Sequence, residues 1–191
     1  MTVVAVDFDK DFRYRPADSS EAHASDVTDE SLDVLSDFPN VTELFLARNH
    51  QLTDACLAHV GGLANLQMLM LDRTSITGPG LANIASLENL WALTLVETPV
   101  TGEGLRHLGN LPKLQWLSLA GTPIKDDDLR HLTLLPQLIH LTLNDTKITD
   151  GGLTHLKQIK RLRRVSLEDT LTTPEGLADL QKALPNCKIN P

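Results

Sequence analysis

The segment from Leu66 to Asn89, LQMLMLDRTSITGPGLANIASLEN, decides the fold of this chain of 191 residues. Four variations of the same pattern follow it, each starting 24 residues after the one before (90 − 66, for example), at Leu90, Leu114, Leu138 and Leu162. A constant period of about 20–29 residues with the spacing L-x-x-L-x-L predicts a solenoid of stacked units. No unit buries its apolar face alone, so the units must share one continuous core.

The two halves of a unit predict different local structures. The first half, LQMLML in the segment above, alternates as a short strand, and we expect successive strands to stack in parallel about 4.8 Å apart. The second half predicts a helix of about two to three turns. Helix N-caps are expected at Thr77, Thr101, Thr149 and Thr173, with Asp126 as a substitute in the remaining unit.

A column of polar residues separates the two halves of each unit. Asn49 occupies this position in the unit at 41–65, and the later units have Thr74, Thr98, Thr122, Thr146 and Thr170. Side-chain amides and hydroxyls at turns hydrogen-bond the nearby backbone. We therefore expect the column to hold the coil of the solenoid together.

These features resemble the leucine-rich-repeat family over nearly the whole chain. The phrase Ile148–Leu153, ITDGGL, is similar to the I-T-D-x-G-L phrase of the cysteine-containing subclass, although Thr replaces the cysteine, the period is shorter and no F-box-like helix precedes the array. A role in ubiquitin ligation is therefore unsupported, and the uniform Thr-type units look most like bacterial arrays. The resemblance implies a right-handed α/β solenoid with a parallel sheet on the concave face, short helices on the convex face and protein–protein interaction as its activity.

We expect residues 1–191 to form a single domain of about seven units. The first unit is interrupted by a polar insertion at 9–26, between a strand-like segment at 3–8 and the helical half that begins at Val27. The insertion is interpreted either as a loop that shields the edge strand or as a binding loop. The C-terminal end at 181–191 begins another strand and stops.

Composition limits the classes of partner. The net charge of −8 and a pI near 5.3 argue against a general affinity for nucleic acid. The first residues form neither a signal peptide nor a membrane span, so we expect that this chain does not insert into membranes. We also expect it to be a monomer. Cys56 and Cys187 lie about five units apart, too far for a disulfide, and two lone thiols favour a reducing compartment such as the cytoplasm.

The sequence predicts no catalytic residue, metal site or cofactor. A column of histidines in the helical halves suggests metal binding at first, through His59, His107, His131 and His155. However, neighbouring helices lie about 8–10 Å apart, whereas zinc requires ligand atoms about 2 Å from one ion. No Gly-rich phosphate loop or nucleophile elbow is present. We therefore expect a chain that is not an enzyme.

The outward positions of the strands carry the strongest candidate for a site. The third and fifth positions of L-x-x-L-x-L face away from the core. There, large apolar and aromatic residues, which are enriched in interface cores, predict a partner-binding patch on the concave face at Phe45, Met68, Met70, Trp116 and His140. The opposing interpretation is that single exposed apolar groups are ordinary.

Two further interpretations stay open. The chain is expected to bind an unknown protein partner, but it could instead be a structural segment of a larger bacterial protein, tethered to a membrane or not, with no ligand of its own. A basic run crowds the last complete unit, at Lys157, Lys160, Arg161, Arg163 and Arg164. It either orients an acidic partner or forms a solvated face that protects the end of the array.

Overall fold

The structure, a computed structural model, describes residues 27–191. Seven parallel strands form one sheet in the order of the sequence. They are β1 Glu43–Phe45, β2 Met68–Met70, β3 Ala92–Thr94, β4 Trp116–Ser118, β5 His140–Thr142, β6 Arg164–Ser166 and β7 Lys188–Asn190. The predicted strand at 3–8 and the insertion at 9–26 lie outside the described residues. The short last strand, expected from the C-terminal sequence, is confirmed as β7.

Helical segments connect the strands, and they are of two kinds. The α-helices are α1 Cys56–Val60, α2 Gly102–Leu108, α3 Asp150–Leu156 and α4 Pro174–Ala183. The remaining connections are the 3₁₀ helices Glu30–Asp37, Pro79–Ile84 and Asp126–Leu134. The sequence predicted helices without distinguishing these classes. The 3₁₀ form places side chains at three-residue intervals, which matches the i, i+3 spacing of apolar residues in the connections.

The predicted N-caps are right at two positions. The hydroxyl of Thr149 accepts a hydrogen bond from the backbone N–H of Gly151, and that of Thr173 accepts one from Gly176, each at 3.1 Å. Thr101 stands at the cap position of α2 but makes no such bond.

The other two N-cap predictions are wrong. Gly78, rather than Thr77, precedes the helix Pro79–Ile84, because a proline begins the helix one residue later. Asp126 is the first helical residue, and Lys125 precedes it as the cap.

One leucine-rich core runs the length of the sheet. The inward strand positions are almost completely buried, as shown by exposed fractions of 0% for Leu69, Leu93 and Leu117 and 1% for Leu141. The strands pair in the register that the 24-residue period predicts. Stacking thus removes the apolar face of every unit from water, which is the dominant stabilising contribution in such an array.

The polar column performs the predicted structural role. The threonine hydroxyls each donate to the carbonyl three residues earlier at 2.6–2.7 Å, in Thr74, Thr98, Thr122, Thr146 and Thr170. In the earlier unit, the Asn49 amide donates to the Leu46 carbonyl at 2.8 Å. These bonds satisfy carbonyls at the point where the chain leaves the sheet.

A second repeated bond joins neighbouring units. An aspartate of one unit accepts hydrogen bonds from both the backbone N–H and the hydroxyl of a threonine in the next; for Asp150 and Thr173 the distances are 2.9 and 2.6 Å. The same pair of bonds links Asp29 with Thr53, Asp54 with Thr77, and Asp126 with Thr149. A side chain at Gly176 would collide with the Asp150 carboxylate, because an added Cβ would lie 2.0 Å from its Oδ1.

The residue five positions after the first residue of each strand from β1 to β6 adopts an unusual backbone conformation. It has φ between 53° and 66° at Arg48, Arg73, Glu97, Gly121, Asp145 and Asp169. Positive φ is uncommon outside glycine, so only a repeated structural demand explains five such residues. That demand is visible in the ladder between units, in which the Arg73 N–H donates to the Val96 carbonyl at 2.8 Å.

Candidate binding surface on the concave face

The sheet face directed away from the helices, the concave face, carries two rows of side chains. The third-position row is Glu43, Met68, Ala92, Trp116, His140, Arg164 and Lys188, in register across the seven strands. The fifth-position row is Phe45, Met70, Thr94, Ser118, Thr142, Ser166 and Asn190. The register therefore places all five predicted site residues on one face.

Met68 does not belong to the exposed surface that the sequence predicted. Only 1% of it is exposed, whereas Phe45, Met70, Trp116 and His140 are half-buried. In the sheet, Met68 is flanked in register by Glu43 and Ala92. Direction away from the core was thus predictable, but accessibility was not.

The accessible predicted residues form two pairs. Phe45 and Met70 are in-register neighbours on β1 and β2. Trp116 and His140 are neighbours on β4 and β5, and their rings stack with centroids 4.9 Å apart and planes inclined by 22°. Between the pairs lies β3, whose concave-face residues are small and buried. The single apolar strip expected from the sequence is therefore two contact areas about 10 Å apart across β3.

The imidazole of His140 has an unusual environment. Burial lowers its pKa from 6.5, and the positive charge of Arg164 on the next strand lowers that pKa further. Its Nδ1 atom is buried and has no hydrogen-bond partner among residues 27–191. The lowered pKa favours a neutral ring at neutral pH, which can both stack and hydrogen-bond.

Buried polar atoms without a partner are concentrated on this face. In the described part of the chain they are Oε2 of Glu43, Oγ1 of Thr94 and Nδ1 of His140. All three residues belong to the two concave-face rows. They lie on alternate strands, β1, β3 and β5, and most buried polar side-chain atoms in proteins have a hydrogen-bond partner.

The exposure of three large apolar residues elsewhere in residues 27–191 was not predicted from the sequence. The exposed fractions are 52% for Phe38, 61% for Leu134 and 62% for Leu171. They lie outside the strands and far apart in the sequence, after the first 3₁₀ helix, at the end of the third one and between β6 and α4. Single apolar residues scattered in this way are normal on a protein surface. Leu134 and Leu171 lie off the core positions of the repeat, and that break in the pattern was the available signal. Phe38 was expected in the core, because it aligns with the buried Leu63 and Leu87, and that expectation is wrong.

The remaining reactive side chains are dispersed or shielded. Among residues 27–191, no three His, Cys, Asp or Glu side chains are grouped so that they could hold a metal ion. Cys56 and Cys187 are buried free thiols. Burial raises the pKa of Cys56 to about 12, assisted by the negative charges of Asp29 and Asp54. A thiol held in its protonated form is a poor nucleophile.

An open parallel sheet of seven short strands, joined by six helical connections at a repeat of 24 or 25 residues, is a leucine-rich-repeat solenoid. Among solved structures, the chain is similar to a leucine-rich-repeat protein of Leptospira interrogans, with a TM-score of 0.64 and 26% identity. The similarity covers 80% of this chain but 37% of that one, so the chain spans little more than a third of its length. In total, 259 chains of solved structures match.

These similarities support the leucine-rich-repeat architecture but not a particular subclass of it. No family model matches the chain, and no curated protein matches it. The cysteine-containing subclass therefore stays a prediction. In the described range, no helix is both long and apolar enough to cross a membrane.

Proposed function

We propose that the chain is a non-enzymatic protein-interaction module that binds its partner through the concave face of the sheet. The leucine-rich-repeat architecture supports an interaction module in general, because stacked units create an extended binding surface. The observation that carries the choice of face is that the three unpartnered buried polar atoms of residues 27–191 share this face with the two apolar pairs. Interface cores combine such aromatic and apolar anchors with polar groups that find partners on binding.

The module makes its main contacts through Phe45 and Met70 on one side of β3 and through Trp116 and His140 on the other. Buried aromatic anchors usually dominate the binding energy of an interface. Met68 contributes as support beneath this surface rather than as a contact, because it is almost completely buried.

The test compares two triple variants of the whole chain. The first is Phe45→Ala, Met70→Ala and Trp116→Ala on the concave face. The matched control, Phe38→Ala, Leu134→Ala and Leu171→Ala, removes the more exposed apolar residues elsewhere. Both variants and the native protein are first shown to have the same circular dichroism spectrum and urea midpoint. Each is then immobilised and exposed to a lysate of the source organism, and retained proteins are quantified by mass spectrometry.

We expect at least one protein that the native chain and the control variant retain and that the concave-face variant loses. Loss of that protein only with the control variant would contradict the choice of the concave face and assign binding to the surface around Phe38, Leu134 or Leu171. Absence of any specifically retained protein would favour the other interpretation, a structural segment of a larger protein without a ligand of its own.

A further inference from the structure

The third-position row becomes positively charged toward β7. Trp116, His140, Arg164 and Lys188 are consecutive in-register neighbours across the last four strands. Arg164 and Lys188 are both exposed. Their backbones lie about 4.8 Å apart, and like charges placed directly opposite each other destabilise a sheet. The array therefore carries a local electrostatic cost at its C-terminal end.

No ion pair in the described chain neutralises these two charges. None of the three ion pairs among residues 27–191 includes Arg164 or Lys188. More exposed positive charge, on Lys160 and Arg161, lies in the turn that precedes β6. The nearest acidic residues of this unit, Glu168 and Asp169, follow the other end of β6, and Glu168 is engaged with Asn144. The repulsion is thus uncompensated at the start of β6 and β7.

The neighbouring fifth-position row offers neutral hydrogen-bonding groups beside these cations. Thr142, Ser166 and Asn190 are half-buried in register on β5, β6 and β7. Hydroxyl and amide groups can donate to a carboxylate or to a peptide backbone. Next to them, the stacked rings of Trp116 and His140 provide an apolar platform at 4.9 Å centroid distance. One continuous surface thus combines a platform, donors and two adjacent cations.

We infer that the β4–β7 part of the concave face binds an extended acidic peptide segment of the partner protein. An apolar or aromatic side chain of that segment lies on Trp116 and His140, and its carboxylates lie on Arg164 and Lys188. From Trp116 to Lys188 the row crosses three strand spacings, about 14 Å, which an extended peptide covers with about four to five residues. The inference rests on the proposed function, since it assigns the chemistry of the partner at the same face.

A peptide fits this surface better than a nucleic acid does. The whole chain carries a net charge of −8, so a long polyanion would be repelled by most of the molecule. Only a short anionic segment avoids that repulsion while neutralising the local cations. Complementary charge at an interface mainly determines partner choice and association rate.

The experiment selects from a display library of random twelve-residue peptides against four forms of the chain. These are the native protein, the double variant Arg164→Glu and Lys188→Glu, a control double variant Arg106→Glu and Lys182→Glu, and Trp116→Ala. The control changes the net charge equally, but its two positions lie on α2 and α4. Circular dichroism first establishes that all four are folded, and selected peptides are then measured by fluorescence anisotropy.

We expect peptides selected on the native protein to be at least twofold enriched in Asp and Glu. Their affinity should fall at least tenfold in the Arg164→Glu and Lys188→Glu variant and fall in Trp116→Ala, but stay within twofold in the control. Selection of neutral peptides that depend on Trp116 but not on the two cations would overturn the inference while leaving the proposed function intact. Acidic peptides that bind the reversed variant equally well would also overturn it.

A single-stranded oligonucleotide of twenty bases serves as the competing anion. Tighter binding of this oligonucleotide than of the best peptide, abolished by the same double variant, would overturn the assignment of a peptide ligand.

Discussion

Replacement of Thr146 by valine tests the most regular polar feature of the array. Thr146 is 3% exposed, and its hydroxyl donates to the Leu143 carbonyl at 2.6 Å. No backbone N–H of the described residues is bonded to that carbonyl. Valine keeps the shape of threonine but removes the donor, so a buried carbonyl loses its partner. The expected cost to the free energy of unfolding is about 1–3 kcal/mol.

The assay is urea denaturation followed by circular dichroism. With a denaturant slope of roughly 2 kcal/mol/M, this cost lowers the urea midpoint by about 0.5–1.5 M without a change in slope. Thr146→Ser is the matched control, because it keeps the hydroxyl and loses one methyl group, at a cost of about 1 kcal/mol or less. The hydrogen-bond explanation would be refuted if the valine variant were as stable as the native protein while the serine variant was destabilised. Packing of the methyl group would then explain the threonine column.

Two further predictions concern ionisable groups. The pKa of Asp150 lies below its ordinary 3.8 because the hydroxyl and N–H of Thr173 donate to the carboxylate. The ionised carboxylate therefore stabilises the folded state above pH 3.8, and this stabilisation is lost as pH falls through the lowered pKa. Asp150→Asn should therefore flatten the loss of stability below pH 3.8, as measured by urea midpoints across that range; an unchanged acid profile would contradict it. The buried Cys56 thiol, with its pKa near 12, should resist iodoacetamide at pH 8 until the chain is unfolded in urea, and complete native-state modification in peptide mapping would contradict its burial.

The repeat pattern alone was sufficient for the architecture because its information is local and periodic. Every 24 residues the same leucines return, so register, inward positions and the threonine column are all determined by counting. Leu141 in the core and the Thr146 bond follow directly from this period. The all-parallel sheet needs only that each strand lies beside the equivalent strand of the next unit.

The 24-residue repeat does not predict the details of the backbone conformation. The left-handed conformation at Arg73, Glu97 and Asp145 was not predicted, because none of these residue types marks that conformation as glycine does. The choice between α and 3₁₀ connections also escaped prediction. The left-handed residues donate their N–H groups to carbonyls of the next unit, as Arg73 does to Val96, so this conformation depends on the neighbouring unit.

For the candidate surface, the sequence by itself determined only that the side chains of Phe45, Met68 and Trp116 point away from the core, since alternation along a strand fixes direction. Tertiary structure decided that Met68 is covered and that Trp116 stacks on His140. The ring contact requires that Trp116 and His140 lie in register on neighbouring strands, and the exposed fraction of a side chain depends on everything that the folded chain packs around it. Those quantities belong to the assembled sheet, and no single unit of the sequence contains them.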